Sequence, residues 1–189
     1  MRKFLAACFL AVLAVPANAQ SGASDPLAPF RQFSQPLIGE WDVTIRELDE
    51  TGKLLFEMRQ QRTFTPTIAD EFIEERVFDP SVTGGPAVIS GVLLLSYDPK
   101  TRTVYQHGFF GGHAGLRFSG EASLASDARS AEGTTLTPGE PGFRTRRRLV
   151  MSWQRPNEFR HRAFARDARG RVFLNEELVY RRGRNPCLQ

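Results

Sequence analysis

Between residues 39 and 180 the chain alternates apolar and polar positions in short runs broken by turn residues. Trp41, Val43 and Ile45 alternate with Asp42, Thr44 and Arg46, the period-two pattern of a half-buried strand. Asp49-Glu50-Thr51-Gly52-Lys53 is a turn. Beyond it Leu54, Phe56 and Met58 alternate with Leu55, Glu57 and Arg59, and the strand can run to Phe64. The stretch 66–70, opened by Pro66, is expected to break it, and alternation resumes over 71–79.

Further strands are read over 87–97, 102–110, from Leu116, weakly over 131–136, and over 143–153, 159–166 and 172–180. Turn residues separate them, among them Asp98-Pro99-Lys100-Thr101 and Asp167-Ala168-Arg169-Gly170. Val92-Leu93-Leu94-Leu95 is apolar on both faces, so this strand is expected to be covered on both sides. Ahead of the strands Leu27, Phe30 and Phe33 recur every third position, a short one-sided helical pattern that Pro36 ends.

About ten short strands at even spacing, with no strong helix between them, predict an all-β up-and-down barrel or sandwich. A run of hairpins favours the antiparallel barrel, because closure removes exposed strand edges. There is no internal repeat. The expected organisation is a segment 1–19, a linker with a short helical segment over 20–36, one barrel over 37–182 and a tail over 183–189.

Segment 1–19 has the layout of a secretory signal: Arg2 and Lys3, an unbroken apolar run, then Ala17-Asn18-Ala19 as a small-x-small cleavage site. The protein is therefore expected to be periplasmic or secreted. Leu5-Ala6-Ala7-Cys8 resembles a lipobox, but too few apolar residues precede Cys8 to form a signal core. The apolar run is also short for a membrane helix, which needs about 20 residues.

Cleavage changes the charge argument. The chain carries 25 basic and 21 acidic residues, and loss of Arg2 and Lys3 leaves 23 against 21, a net charge of +2. Nothing in that balance points to nucleic acid. Of the two cysteines only Cys187 would remain, so the fold must be held by packing rather than by an internal disulfide. Cys187 reads as a tail thiol or as one partner of an intermolecular bridge. A membrane barrel needs an apolar outer band, whereas Arg144, Arg146, Arg147 and Arg148 occupy both faces of one strand. No membrane span is expected.

Leu37-Ile38-Gly39-Glu40-Trp41 resembles the Gly-x-Trp signature of lipocalins and their calycin relatives. The chain is more closely similar, over 37–182, to a family of exported bacterial lipocalin-like proteins of unknown function. Phe72-Ile73-Glu74-Glu75, Ser96-Tyr97-Asp98-Pro99-Lys100-Thr101, Tyr105 and Glu177-Leu178-Val179-Tyr180 carry that likeness. The resemblance implies a lipocalin-like barrel in which Trp41, following Gly39, packs across the closed end. It also implies that Arg181 or Arg182 stacks on that indole. It implies no reaction. Neither the paired disulfides nor the Thr-Asp-Tyr motif of lipocalins proper is present.

Alternation places Trp41, Phe56, Phe72, Leu94, Phe118 and Trp153 as the inward lining of a ligand lumen, with Glu74 and Arg147 as its polar groups. An inward Arg147 needs a partner such as Glu74 or Glu176, or an anionic ligand. His107 is the candidate lumen histidine. His107 and His113 flank a turn and could serve a single-ligand haem or a transition metal, although no metal cluster accompanies them. No Gly-x-Ser-x-Gly, phosphate loop or dinucleotide fingerprint is present.

The expected function is binding of a small apolar or amphipathic molecule. Two alternatives stay open. One is an isomerase or hydrolase using a lumen carboxylate or His107. The other is a non-catalytic envelope protein with a filled barrel. The sequence leaves the oligomeric state open.

Overall fold

The computed structural model describes residues 25–68, 71–80, 87–111, 116–138 and 144–182. The expected signal segment, His113 and Cys187 lie outside these residues.

One short helix, α1 (Ala28–Ser34), and a 3₁₀ turn (Gln35–Leu37) lead into ten strands. These are β1 (Gly39–Leu48), β2 (Leu54–Thr67), β3 (Phe72–Asp79), β4 (Val88–Asp98), β5 (Thr103–Phe110), β6 (Leu116–Leu124), β7 (Ser130–Pro138), β8 (Arg144–Arg155), β9 (Glu158–Arg166) and β10 (Val172–Arg182). Each strand pairs antiparallel with the next, and β10 returns to pair with β1, so the sheet closes. Closure leaves no free sheet edge, which is how an exposed meander avoids edge pairing.

Two expectations change. The stretch 66–70 was expected to end the second strand, but β2 continues to Thr67 and Pro66 lies opposite Ile73. Past Phe64, β1 no longer flanks β2, so a proline there gives up no ladder bond on that side. The apolar run in β4 is not covered on both faces. Leu93 and Leu95 are buried, whereas Leu94 is 40% exposed on the outer wall.

The helix seals one end. Phe30, Phe33 and Leu37 are fully buried. Phe30 stacks on Tyr97 at 5.4 Å, and Phe33 meets Phe159 edge-on at 5.9 Å. Trp153 Nε1 donates to the Phe33 carbonyl at 3.0 Å, and Trp41 Nε1 donates to the Leu37 carbonyl at 2.6 Å. These bonds satisfy the buried indole donors while their rings fill the floor.

The opposite end is the mouth. It is formed where β1 meets β2, β3 meets β4, β5 meets β6, β7 meets β8 and β9 meets β10. Leu54, Leu55, Phe56, Val88, Ile89, Phe109 and Val172 gather at strand ends on this rim, and each is 47–63% exposed. Among the described residues Ile68 and Leu94 are the exposed large apolar side chains found elsewhere.

Candidate functional site

Strand register and burial together fix which residues face inward. Trp41, Val43 and Ile45 on β1 lie opposite Arg182, Tyr180 and Leu178 on β10 and opposite Arg62, Gln60 and Met58 on β2. Arg147, Leu149, Met151 and Trp153 share one face of β8, and Met151 lies opposite His161 on β9. The floor below this level is apolar. Near the mouth Met58, Phe110, Phe118, Arg147 and Glu176 face inward but are only part-buried. These part-buried inward side chains line a cup at the mouth end of the barrel, whose loops 81–86, 112–115 and 139–143 lie outside the described residues.

The polar groups of the cup fall into two sets. The first is paired in charge. Arg62 Nη1 donates to Glu75 Oε1 at 2.6 Å and to Tyr180 Oη at 2.9 Å, and Tyr180 Oη donates to the same carboxylate oxygen at 3.1 Å. Arg62 Nη2 donates to Gln60 Oε1 at 2.9 Å, and Gln60 Nε2 donates to Asp79 at 2.6 Å. Burial opposes the charge on Arg62, but Tyr180 and Glu75 hold its pKa above the ordinary arginine value. Burial also pushes the Tyr180 phenol up, so it stays protonated and donates. The charges of this network are paired and bonded, while Arg62 Nε is buried without a partner.

The second set makes no hydrogen bond among the described residues. Gln106 is 4% exposed, faces inward from β5, and its Oε1 is buried without a hydrogen bond. His161 is 8% exposed; its ring meets Phe118 edge-on at 6.5 Å and it makes no hydrogen bond. Burial, and the neighbouring charge of Arg62, lower its pKa to about 3, so the imidazole is neutral at pH 7. Arg147 Nε is buried without a partner, and its nearest counter-charge is Glu176, at 3.6 Å from Nη1. Burial raises the Glu176 pKa against the opposing pull of Arg147. Polar atoms taken out of water and left unpaired are destabilising by about 1–3 kcal/mol each. Gln106 on β5, Arg147 on β8 and His161 on β9 are therefore the inward groups that ask for a ligand.

The residues singled out from sequence scatter over both faces. Trp41 and Trp153 meet at the floor, with ring centroids 5.9 Å apart. Phe118 and Arg147 face the cup, and Phe56 faces it from the rim at 47% exposure. Phe72 and Glu74 do not; the inward residues of β3 are Ile73, Glu75 and Val77. Glu74 pairs on the outer wall with Arg76. Leu94 and His107 are lateral neighbours on the outer wall, not in the lumen. Both faces of β3 and β4 carry large apolar residues, so alternation alone could not set the phase, and the barrel register does. Glu74 and His107, on which the isomerase or hydrolase reading rested, thus lie outside the cup. The same holds for His107 as a lumen haem ligand.

Arg182 stacks on Trp41, with its guanidinium carbon 4.6 Å from the ring centroid. It also donates to the Pro36 and Ile38 carbonyls at 2.7 Å each. Gly39 sits at φ +117°, where a Cβ would lie 2.6 Å from Arg182 Nη1; glycine suits both constraints. Arg181 points outward, 3.7 Å from Glu158.

Arg62, Glu75, Gln106, His161 and Tyr180 were not picked out as site residues from the sequence. The signal for two of them was parity. Arg62 shares the period-two face of Met58 and Phe64, and His161 shares that of Phe159 and Ala163.

A cleft of about 850 Å³ runs outside the wall over β1 to β3, with Asp42, Arg59, Gln61 and Arg181 along it. These four are solvated side chains, in a different state from the desolvated groups of the cup. Among the described residues no group of three or more His, Cys, Asp or Glu is placed to hold a metal ion. No described helix is long and apolar enough to cross a membrane.

No protein-family model matches this sequence, and no curated protein is significantly similar to it. Among solved structures the chain is similar to Rv2717c from M. tuberculosis, at 16% identity and a TM-score of 0.57, over 83% of this chain and 99% of that one. It is also similar to a redesigned β-barrel at 11% identity and a TM-score of 0.39, over 80% of this chain and 96% of that one. The likeness to Rv2717c bears on the fold alone, a closed antiparallel barrel.

Proposed function

We propose that this is an exported, lipocalin-like binding protein whose barrel holds one small amphipathic molecule. The observation that carries this reading is the set Gln106, His161 and Arg147, three inward polar side chains without a protein hydrogen bond. They stand in a cup whose mouth is rimmed with exposed apolar residues. A pocket of mostly apolar lining with a few placed polar groups is the usual form of a small-molecule site. A barrel of this size has room for one small ligand. The secretory layout of 1–19 supports encounter with that ligand outside the cytoplasm.

Native mass spectrometry of the full chain, purified after export and titrated with single-chain amphiphiles, tests the reading. The expected result is a one-to-one complex that survives Arg148→Gln on the outer wall and weakens with Gln106→Leu in the cup. A crystal structure with the cup packed solid by side chains, and no complex with any amphiphile, would overturn it.

One observation favours a second reading. His161 presents a neutral, unpartnered imidazole to the cup, and a single neutral histidine is a common axial ligand to haem iron. This moves the haem candidate from His107 to His161. Titration with haem separates the two readings: a Soret shift lost in His161→Phe supports haem, and an unchanged free-haem spectrum removes it.

A further inference from the structure

We infer that the head group received by the cup is a carboxylate, held by Arg147 and Gln106; this rests on the binding reading above. Register builds the place. Gln106 lies opposite Gly120, Gly120 opposite Thr135, and Thr135 opposite Arg147. One inward row therefore crosses β5 to β8, with a polar side chain at each end. At Gly120, between them, a Cβ would stand 3.5 Å from Gln106 Oε1 and 3.6 Å from Leu149 Cδ2. Thr135 directs its hydroxyl proton to the Ser119 carbonyl at 3.3 Å, so it does not occupy either end group.

The unsatisfied donors of Arg147 set the sign of the ligand, although the inward face also carries Glu47, opposite Glu176. Arg62 is matched by Glu75 at 2.6 Å with both side chains at most 5% exposed, so its charge is paired, although its Nε too is buried without a partner. Arg147 is not matched in the same way. Its counter-charge stands at 3.6 Å, its Nε is orphaned, and no hydrogen bond reaches its guanidinium. Burial, with Glu47 nearby, raises the Glu176 pKa against the opposing pull of Arg147. A guanidinium presents a planar fork of donors that fits the two oxygens of a carboxylate. The Gln106 amide, free of protein partners, can turn its Nε2 toward the same head. The inward apolar residues Ile45, Met58, Phe110 and Phe118 offer surface for a hydrocarbon tail.

Isothermal titration of the full chain with dodecanoate, dodecanol and dodecylammonium, each below its micelle concentration, reads the head group directly. Dodecanoate is expected to bind about tenfold or more tightly than dodecanol, and dodecylammonium most weakly. Arg147→Gln should bring acid and alcohol to about equal affinity while leaving the alcohol within roughly twofold of wild type. Arg147→Lys should keep part of the preference. Arg148→Gln, whose partner is Glu132 on the outer wall, should keep all of it. Circular dichroism and thermal melting establish that each variant folds.

Equal binding of acid and alcohol by the wild type overturns the carboxylate assignment and leaves the binding reading standing. So does tighter binding of the ammonium, or a preference that survives Arg147→Gln in the folded variant. Binding of none of the three overturns both.

Discussion

Arg62 and Glu75 meet at 2.6 Å inside the barrel wall, and the hydroxyl of Tyr180 closes the triangle. The three come from β2, β3 and β10, so the network spans β1 and ties the two sides of the barrel's closing seam. Removing one member strands the other. Glu75→Ala should destabilise by about 3–5 kcal/mol, because it leaves a buried guanidinium unpaired. The double variant Arg62→Met/Glu75→Leu should lose less than Glu75→Ala alone, since it leaves no orphaned charge. Urea unfolding of the three proteins checks the order, and a double variant weaker than the single one would refute it.

Arg182 and Arg181 separate the floor from the outer wall. Arg182 covers Trp41 and donates to two carbonyls of the chain entering β1. Arg181 stands 63% exposed beside Glu158. Arg182→Ala should destabilise by about 1–3 kcal/mol and shift tryptophan emission. Arg181→Ala should change stability by less than about 1 kcal/mol, as expected for an exposed ion pair. Thermal melts with fluorescence detection compare them directly.

His161 makes stability depend on pH with a defined sign. Its folded pKa is lowered from 6.5 to about 3 by burial and by Arg62. Below about pH 6.5 the unfolded chain binds a proton that the folded chain refuses, so this stability is present above pH 6.5 and is lost as pH falls toward 3. The contribution is up to about 1.4 kcal/mol per pH unit. Glu176 acts in the opposite direction, because its raised pKa favours the folded state as acid is added. His161→Phe should flatten the fall in unfolding free energy between pH 6.5 and 4 relative to wild type, measured in urea at half-unit steps. An unchanged slope would mean that His161 titrates normally in the fold.

The barrel itself was legible because strand and turn signals are local. Alternation from Trp41 and the turn at Asp49-Glu50-Thr51-Gly52-Lys53 are carried by neighbouring residues. Phase was harder. In β4 Leu93, Leu94 and Leu95 are chemically alike, and only pairing with β3 and β5 decides that Leu94 faces out. Phe118, Trp153 and Arg147 face inward, and their phase is legible because the other face of their strands is mostly polar or small. Glu75 and His161 were passed over because a buried charge and a buried imidazole are recognisable only once Arg62 and Phe118 are brought beside them from distant strands.

That phase difference has its own test. Leu94→Glu should change stability by about 1 kcal/mol or less, because residue 94 is 40% exposed. Leu93→Glu, at a position 4% exposed, should cost several kcal/mol by burying an unpaired carboxylate. Equal losses in urea unfolding would contradict the assigned register.

The central claim, that the unpartnered polar groups of the cup form a ligand site, is tested most directly by side-chain nuclear magnetic resonance during titration with dodecanoate. The Arg147 Nε–H, the Gln106 amide and the His161 ring should shift together and saturate at one equivalent, while Arg46 and Arg148 on the outer wall stay unmoved. Shifts confined to Asp42, Arg59 and Gln61, with those three cup signals unchanged, would place binding in the outer cleft and contradict it.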